Sequence, residues 1–430
     1  MRITDFHVTP IAISDPPLLN AAGLHAPYAL RVIVEVVSDD NIYGVSELPG
    51  GADVLADLEG MRHLVVGRDP FRLNMLARDI EAHFGDATSG DRQRMRTTIH
   101  SRRAARAFGA VEVACLDLIG KSIGRPVYDL LGGKVRDRVP FSAYLFYKYE
   151  GAGGELGFAT DPNATGWAAA RQAAALTPDG IVAQAQAMCR EFGFKSLKLK
   201  GGVFEPQIEV DTIFALREAF GPSTPLRLDP NAVWSVETAI EYGRRLEGAL
   251  EYLEDPTRGQ EGMAQVAKAV NIPLATNMCT TSFDDIPGSV RLGSEQIILS
   301  DHHFWGGLRA SVELARICRT FGRGLSMHSN SHAGISLRAM AHLAAAVPNL
   351  TYACDTHYPW QCEEVIAGGR LQFDDGDLIV GDAPGLGIEL DRAMLAKLHK
   401  NYVKCGLTKR DDEAEMQKVQ PGWKFMETRW

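Results

Sequence analysis

Ser196-Leu-Lys-Leu-Lys-Gly-Gly202 decides how this chain is read. Residues two apart on a strand leave the same face, so Lys198 and Lys200 point one way together. Two glycines then turn the backbone aside. On an outer face such a pair is ordinary solvated charge, but the runs downstream of it argue for another setting. Leu226-Arg-Leu-Asp229, Tyr252-Leu-Glu254, Leu274-Ala-Thr-Asn277, Ile297-Ile-Leu-Ser-Asp301 and Leu325-Ser-Met-His328 are short apolar runs, each ending on a polar residue. From Lys200 the successive steps are 29, 25, 23, 24 and 27 residues, each the length of one strand–helix unit. A strand that returns parallel to its predecessor needs such a crossover.

Outward from these strand ends, helical patterns are expected over 181–192, 210–220, 235–246, 262–270, 308–321 and 336–347, with Ser235 and Ser336 as helix starts. Val139-Pro-Phe-Ser-Ala-Tyr-Leu-Phe-Tyr147 supplies a first strand, and the units run out after Thr351-Tyr-Ala-Cys-Asp355. Seven or eight units favour a closed barrel over an open sheet. No strand is followed by Gly-x-Gly-x-x-Gly, which disfavours a dinucleotide-binding fold. Gly151–Gly157 lacks the strand before it and the Lys-Ser/Thr after it that a phosphate loop requires, and is expected to be a flexible loop.

Before the barrel, residues 1–48 are β-rich and 52–123 helical, with Arg102, Arg103 and Arg106 expected on a solvated face. After it, Leu371-Gln-Phe-Asp and Leu378-Ile-Val suggest a hairpin, and 388–430 one helix (391–402) and a polar tail. The expected fold is therefore α/β: a (β/α)7β modified TIM barrel (134–385), an N-terminal α+β capping domain (1–133), and a C-terminal segment (386–430) that packs back on and completes the cap.

The 430 residues are 45% hydrophobic and 23% charged, an ordinary globular composition. A formal charge of −9 argues against nucleic acid and against an anionic membrane, and no apolar run is long enough to span a bilayer. An anionic substrate must then be met by a local cluster of cations. Seven cysteines without a Cys-x-x-Cys pair read as buried thiols in a reducing compartment, and the start lacks a signal-peptide pattern, so a cytoplasmic location is expected. A homo-oligomer is the expected assembly.

At the active face of a parallel barrel, Asp229, Glu254 and Asn277 would converge, three hard oxygen donors suited to Mg2+. Glu261, seven residues beyond Glu254, is the alternative second ligand. Lys198 and Lys200 stand on one side and His328 on the other, with Asp301 one strand earlier and able to orient the imidazole. A cation flanked by lysine and histidine suits proton abstraction beside a carboxylate, for which the lysine must be neutral. No Gly-x-Ser-x-Gly elbow points to a hydrolase.

With these residues the chain resembles the enolase superfamily, and within it the D-glucarate dehydratase family, nearly end to end. The resemblance rests on Asn20-Ala-Ala-Gly-Leu-His-Ala-Pro27, Arg96-Thr-Thr-Ile-His100, Tyr144-Leu-Phe146, Lys198-Leu-Lys-Gly-Gly202 and Leu228-Asp-Pro-Asn231. It continues through Glu254-Asp-Pro256, Ala275-Thr-Asn-Met278, His303-Phe-Trp305, His328-Ser-Asn330, Asp355-Thr-His357 and Arg410-Asp-Asp412. It implies Lys200 and His328 as bases on opposite faces of the substrate and Lys198 beside the metal-bound carboxylate, with Mg2+ on Asp229, Glu254 and Asn277. His25, Thr97, Tyr144, Asn231, Ser329, Asn330, His357 and Arg410 would contact the hydroxyls and the distal carboxylate. The implied reaction is dehydration of D-glucarate to 5-dehydro-4-deoxy-D-glucarate. Another aldarate (galactarate or idarate), or an epimerase or racemase reaction, is the alternative. Two positions depart from the family pattern, His302 where proline is usual and Ser331 where asparagine is usual. Both bear on substrate preference.

Overall fold

The computed structural model describes residues 1–85, 103–154 and 156–430. The chain begins with β1 (Ile3–Ser14), the short pair β2 (Leu19–Asn20) and β3 (Gly23–Leu24), then β4 (Tyr28–Ser38) and β5 (Tyr43–Pro49). β1, β4 and β5 form an antiparallel sheet in the order β1-β4-β5. The β-branched run of β4 is buried on both faces, because the helix Arg103–Ile123 also packs on this sheet. The approach is close enough to require glycine at position 44, where a Cβ would collide with the Ala114 carbonyl oxygen. Asp117 on that helix accepts from Val45 N–H (2.9 Å) and Leu386 N–H (2.7 Å), joining sheet, helix and C-terminal segment.

The second layer is a parallel sheet of β6 (Arg138–Phe146), β7 (Leu197–Lys200), β8 (Leu226–Asp229), β9 (Tyr252–Glu254), β10 (Leu274–Thr276), β11 (Ile297–Ser300), β12 (Gly324–Met327) and β13 (Cys354–Thr356). Neighbours in sequence pair in space except that β13 returns to β6. Between β12 and β13 the ladder is replaced by Thr351 and Tyr352 N–H groups donating to the Leu325 carbonyl (3.0 and 3.3 Å), and Ser326 Oγ donates to the Ala353 carbonyl (2.9 Å). A helix follows each of the first seven strands, so the architecture is the expected (β/α)7β barrel. Tyr252, Ala275, Ile297 and Leu299 form a small apolar plug of their own, separate from the main core. Each fully buried Ile or Leu contributes about 1.5–3 kcal/mol. No helix among the described residues is long and apolar enough to cross a membrane.

Several local expectations are corrected. The helix expected from Ser336 is Gly334–Ala346, and it starts after Ala333, which has no side-chain acceptor. Two buried glutamates take over: Glu47 of β5 accepts from Ala333 N–H (2.7 Å) and Ser336 N–H (3.0 Å), and Glu364 from Gly334 N–H (3.0 Å). Arg106 is not solvated but buried against Asp57 at 3.1 Å, and Arg103 pairs with the same carboxylate. The hairpin expected around 371–380 closes through a single antiparallel bridge, Asp374 to Asp377, and only its second arm is a strand, β14 (Asp377–Ile379), which pairs antiparallel with β6. The C-terminal segment holds two helices, Arg392–Cys405 and Asp412–Val419, the second started by Asp411 accepting from Ala414 N–H. Of the seven cysteines, all unpaired, only Cys115, Cys318 and Cys354 are fully buried.

The C-terminal segment ties the layers together. His399 Nδ1 donates to the Pro10 carbonyl (2.8 Å), while Asp412 accepts from Asn20 Nδ2 (2.7 Å). Arg429 donates to the Ala21 carbonyl (2.8 Å) and the Gly202 carbonyl (3.1 Å), and its backbone N–H to the Val233 carbonyl (2.8 Å).

Candidate active site

Strand register sets the site. Tyr144 pairs with Lys198, Phe146 with Lys200, and Lys200 with Asp229, so these side chains occupy adjacent levels at one end of the barrel. Leu197 and Leu199 point to the helices. Lys198 is wholly buried, its Nζ 2.6 Å from Glu254 Oε2, 2.6 Å from Asp355 Oδ2 and 4.8 Å from the Tyr144 ring centroid. On the next strand, in register with Lys198, Arg227 lies 2.7 Å from Glu251 and 3.5 Å from Asp355. Lys200 Nζ donates to Asp229 Oδ2 at 2.6 Å.

These contacts change the expected charge state of the lysines. Burial pushes both ammonium groups toward neutrality, yet the carboxylates outweigh it: Asp229 for Lys200, Asp355 and Glu254 for Lys198. Both are held above the usual lysine range, so desolvation does not neutralise Lys200 while Asp229 is its partner. Burial also pushes the Tyr144 phenol up to about 12.

Asp229, Glu254 and Asn277 stand at the ends of β8, β9 and β10, as their spacing predicts. Glu254 is fully buried, and among the described residues neither carboxylate oxygen accepts a well-formed hydrogen bond. Burial, reinforced by Asp229 and Asp355 against the opposing Lys198, pushes its carboxyl far up. A buried carboxylate short of donors and crowded by others is a place for a cation, and the donors are hard oxygens that fit Mg2+. Glu261 is exposed on the first turn of the helix Gly259–Ala269.

Asp255, absent from the expected residue set, orients this region. It sits at φ 35°, accepts from Thr276 Oγ1 (2.5 Å) and from the Asn277 N–H (2.8 Å), and its carbonyl accepts from Ala232 N–H (2.6 Å). Burial and Asp229 push its carboxyl up to about 7. Asn231, also at positive φ, donates its N–H to Asp229 Oδ1 (2.9 Å).

Across the mouth, His328 Nδ1 donates to Asp301 Oδ2 at 2.9 Å, which leaves Nε2 as the basic nitrogen. Asp301 has a second partner outside the expected site residues: His303 Nδ1 lies 2.7 Å from Oδ1. Burial would raise the Asp301 carboxyl, but the two histidines hold it well below the carboxylate range. His302 is buried, its ring 3.9 Å from that of His303, and burial keeps it neutral.

On the capping side lies a cavity of about 570 Å³ whose walls include Asp15, His25, Asn330, Ser331 and Arg410. Lys200, Asp229 and His328 do not line it. Arg410 lies 2.6 Å from Asp412 and 2.7 Å from His25 Nε2, and His25 Nδ1 lies 2.9 Å from Asp15. Both ring nitrogens of His25 are thus engaged within the protein. His357 stacks on His25 at 5.9 Å, and its buried Nε2 has no partner among the described residues. Ser329 accepts the His357 N–H (3.0 Å), Asn330 accepts from Arg31 (3.1 Å), and Ser331 donates to Asp15 (3.2 Å). Thr97 lies outside the described residues.

Residues 13–132 match the mandelate racemase/muconate lactonizing enzyme N-terminal domain, and 180–394 the enolase C-terminal domain-like family. The chain is 48% identical to a "Probable glucarate dehydratase" of Streptomyces coelicolor, over 98% of this chain and 97% of that protein. A solved enolase from Thermobispora bispora, complexed with magnesium and formate, superposes with a TM-score of 0.92 at 50% identity over 100% of both chains. One from Pseudomonas fluorescens, with bound magnesium, potassium and tartrate, does so at 0.92 and 50% over 100% of this chain and 99% of its own. The chain is a member of the enolase superfamily, an enzyme built from that superfamily's capping and barrel domains.

Proposed function

We propose that this enzyme is a Mg2+-dependent hydro-lyase acting on acid sugars, and that it dehydrates D-glucarate to 5-dehydro-4-deoxy-D-glucarate. The observation that carries the reading is the placement of Lys200 and His328 on strands that flank the Asp229–Glu254–Asn277 strand ends, with Arg410 on the capping side. The near full-length similarity to a probable glucarate dehydratase supports it.

In this reading Asp229, Glu254 and Asn277 hold Mg2+, which when bound supplies the positive charge that offsets enediolate formation. Lys198 stands by the bound carboxylate of the substrate. Lys200, once Asp229 no longer holds its ammonium, and His328 Nε2 each remove or return the proton on the adjacent carbon, one from either face, and His328 delivers a proton to the departing hydroxyl. Asp301 keeps the His328 ring in the tautomer that leaves Nε2 free. His25, Tyr144, Asn231, Ser329, Asn330, His357 and Arg410 shape the space for the hydroxyls and the far carboxylate. Residues 1–133, 134–385 and 386–430 act as cap, barrel and returning segment.

The test is consumption of D-glucarate, galactarate and idarate with Mg2+ and with EDTA, followed by proton NMR. A 2-keto product from glucarate that depends on Mg2+ supports the proposal. An epimerised aldarate, or no consumption of any, overturns it.

A further inference from the structure

The buried carboxylate of Asp15 lies where three segments meet: the loop after β1, the loop after β12 and the loop after β13. It is 3% exposed. Its Oδ2 receives His25 Nδ1 (2.9 Å) and Ser331 Oγ (3.2 Å), and its Oδ1 faces Gln361 Nε2 at 3.4 Å. Gln361 Nε2 also faces His357 Nδ1 at 3.5 Å. None of these contacts touches the Lys200–His328 end of the site.

Hydrogen-bond roles along this chain are not free. A carboxylate only accepts, so His25 Nδ1 must carry a proton. A guanidinium only donates, so His25 Nε2, 2.7 Å from Arg410 Nη2, must present its lone pair. His25 is therefore the neutral Nδ1–H tautomer. The carboxylate also decides which end of the Gln361 amide faces inward: turned the other way, the amide oxygen would meet the Asp15 oxygen. With the NH2 inward, one proton points at Asp15 and the other at His357 Nδ1. His357 must then carry its proton on Nε2, the buried atom that has no partner among the described residues. Burial outweighs the attraction of Asp15 and keeps this ring neutral.

We propose that Asp15 and Gln361 are positioning residues for recognition of the substrate's far end, setting opposite tautomers in His25 and His357. Through His25, Asp15 anchors the Arg410 guanidinium. Through Gln361, it turns His357 into an Nε2–H donor. The ligand served is an anionic group, a carboxylate, that takes one charge-assisted bond from Arg410 and one from His357. Ser331 belongs to the same arrangement, since its hydroxyl fills a third position on Asp15. This deepens the proposed function and rests on it for the identity of the ligand, though not for the tautomers.

The test uses two-bond proton–nitrogen NMR of the 15N-labelled full-length protein, with the two rings assigned by His25→Gln and His357→Gln. The parent is expected to show Nδ1–H at His25 and Nε2–H at His357. In Asp15→Asn the new amide oxygen still accepts from His25, while its NH2 turns Gln361 over. The Gln361 oxygen then accepts from His357, so the His357 proton moves to Nδ1 and that of His25 stays. Gln361→Glu makes the same switch at His357 and covers the case in which Asp15→Asn does not fold. With dicarboxylate sugars both variants should raise KM about tenfold, with the loss carried by KM rather than kcat. His357 keeping Nε2–H in every folded variant, or His25 carrying Nε2–H in the parent, overturns the inference whatever the substrate is. A parent that consumes no aldarate yet shows the tautomer switch supports the positioning roles and removes only the functional reading above.

Discussion

Lys198 Nζ lies 2.6 Å from Asp355 Oδ2, and neither side chain is exposed. Asp355 is thus a counter-charge inside the barrel, shared with Arg227, and stands apart from the strand ends that face the mouth.

Removing it leaves Lys198, among the described residues, with Glu254 at 2.6 Å and Asp229 at 3.9 Å. Asp355→Ala is expected to destabilise the protein by about 3–5 kcal/mol, because a buried charge loses its partner. The double variant Lys198→Met, Asp355→Leu should recover most of that loss. Urea unfolding midpoints for the three proteins test this, and a single variant as stable as the parent would show that the pair contributes nothing net.

The strand-end oxygens make a different prediction. Asn277→Leu and Asp229→Asn should abolish turnover and weaken Mg2+ binding while the circular dichroism spectrum stays that of the parent. Glu261→Gln, altering an exposed helix residue, should bind Mg2+ like the parent by calorimetry. Full turnover in either of the first two would remove that residue from the ligand set.

Lys200 and His328 should act on opposite faces of the same carbon. His328→Asn is expected to retain proton exchange in D2O with one of the C5 epimers glucarate and idarate and to lose it with the other. Lys200→Arg should show the reverse pattern. Each loss should be about 10² to 10⁴-fold. Asp301→Asn should resemble His328→Asn, and its effect should extend to His303, since one carboxylate holds both rings. Equal loss with both epimers in both base variants would falsify the two-face arrangement.

Glu112, buried on the capping helix, accepts from the Leu308 N–H (2.6 Å) and the Arg309 N–H (3.2 Å), the open N-terminus of a barrel helix. Burial outweighs these bonds and pushes its carboxyl from 4.5 up to about 7. The folded protein therefore binds this proton more tightly than the unfolded chain does. Its contribution to stability falls as pH rises from about 4.5 to about 7, by about 3 kcal/mol. Glu112→Gln keeps an acceptor without the titration, so its urea midpoint should fall less than the parent's over that range. Parallel pH profiles would rule this group out.

The barrel is legible in the sequence because one physical rule repeats along the chain: a parallel strand needs a helix-length return, and each return deposits a polar residue at the same end. Asp229, Glu254, Asn277, Asp301 and His328 carry that rhythm in their spacing. Asp15 and Gln361 carry none, and Asp355, though it keeps the step at 27 residues after His328, gives no sign of the cations it faces. Asp15 meets Gln361 across 346 residues and Lys198 meets Asp355 across 157, and nothing near any of them in sequence marks a carboxylate or an amide as buried. Arg106 looks solvated for the same reason, its partner Asp57 lying 49 residues earlier. The charge of Lys200 is hidden because desolvation is visible in an apolar strand, whereas the hydrogen bond that opposes it comes from the next unit. Ser336 obeys a local helix-start rule that Glu47 and Glu364, from elsewhere, override.

The stitching of Arg429 to Ala21, Gly202 and Val233 carries a consequence for biosynthesis. Those carbonyls belong to a cap loop and to the two loops that follow β7 and β8, so three segments made early wait on one made more than 190 residues later. A nascent chain halted before residue 410 holds every strand of the barrel and lacks both the guanidinium on the capping side and the clasp that fixes those loops. Assembly of the barrel and completion of its mouth are therefore separable in time, and ribosome-stalled chains of graded length should acquire protease resistance in the barrel before they acquire it at Ala21 and Gly202.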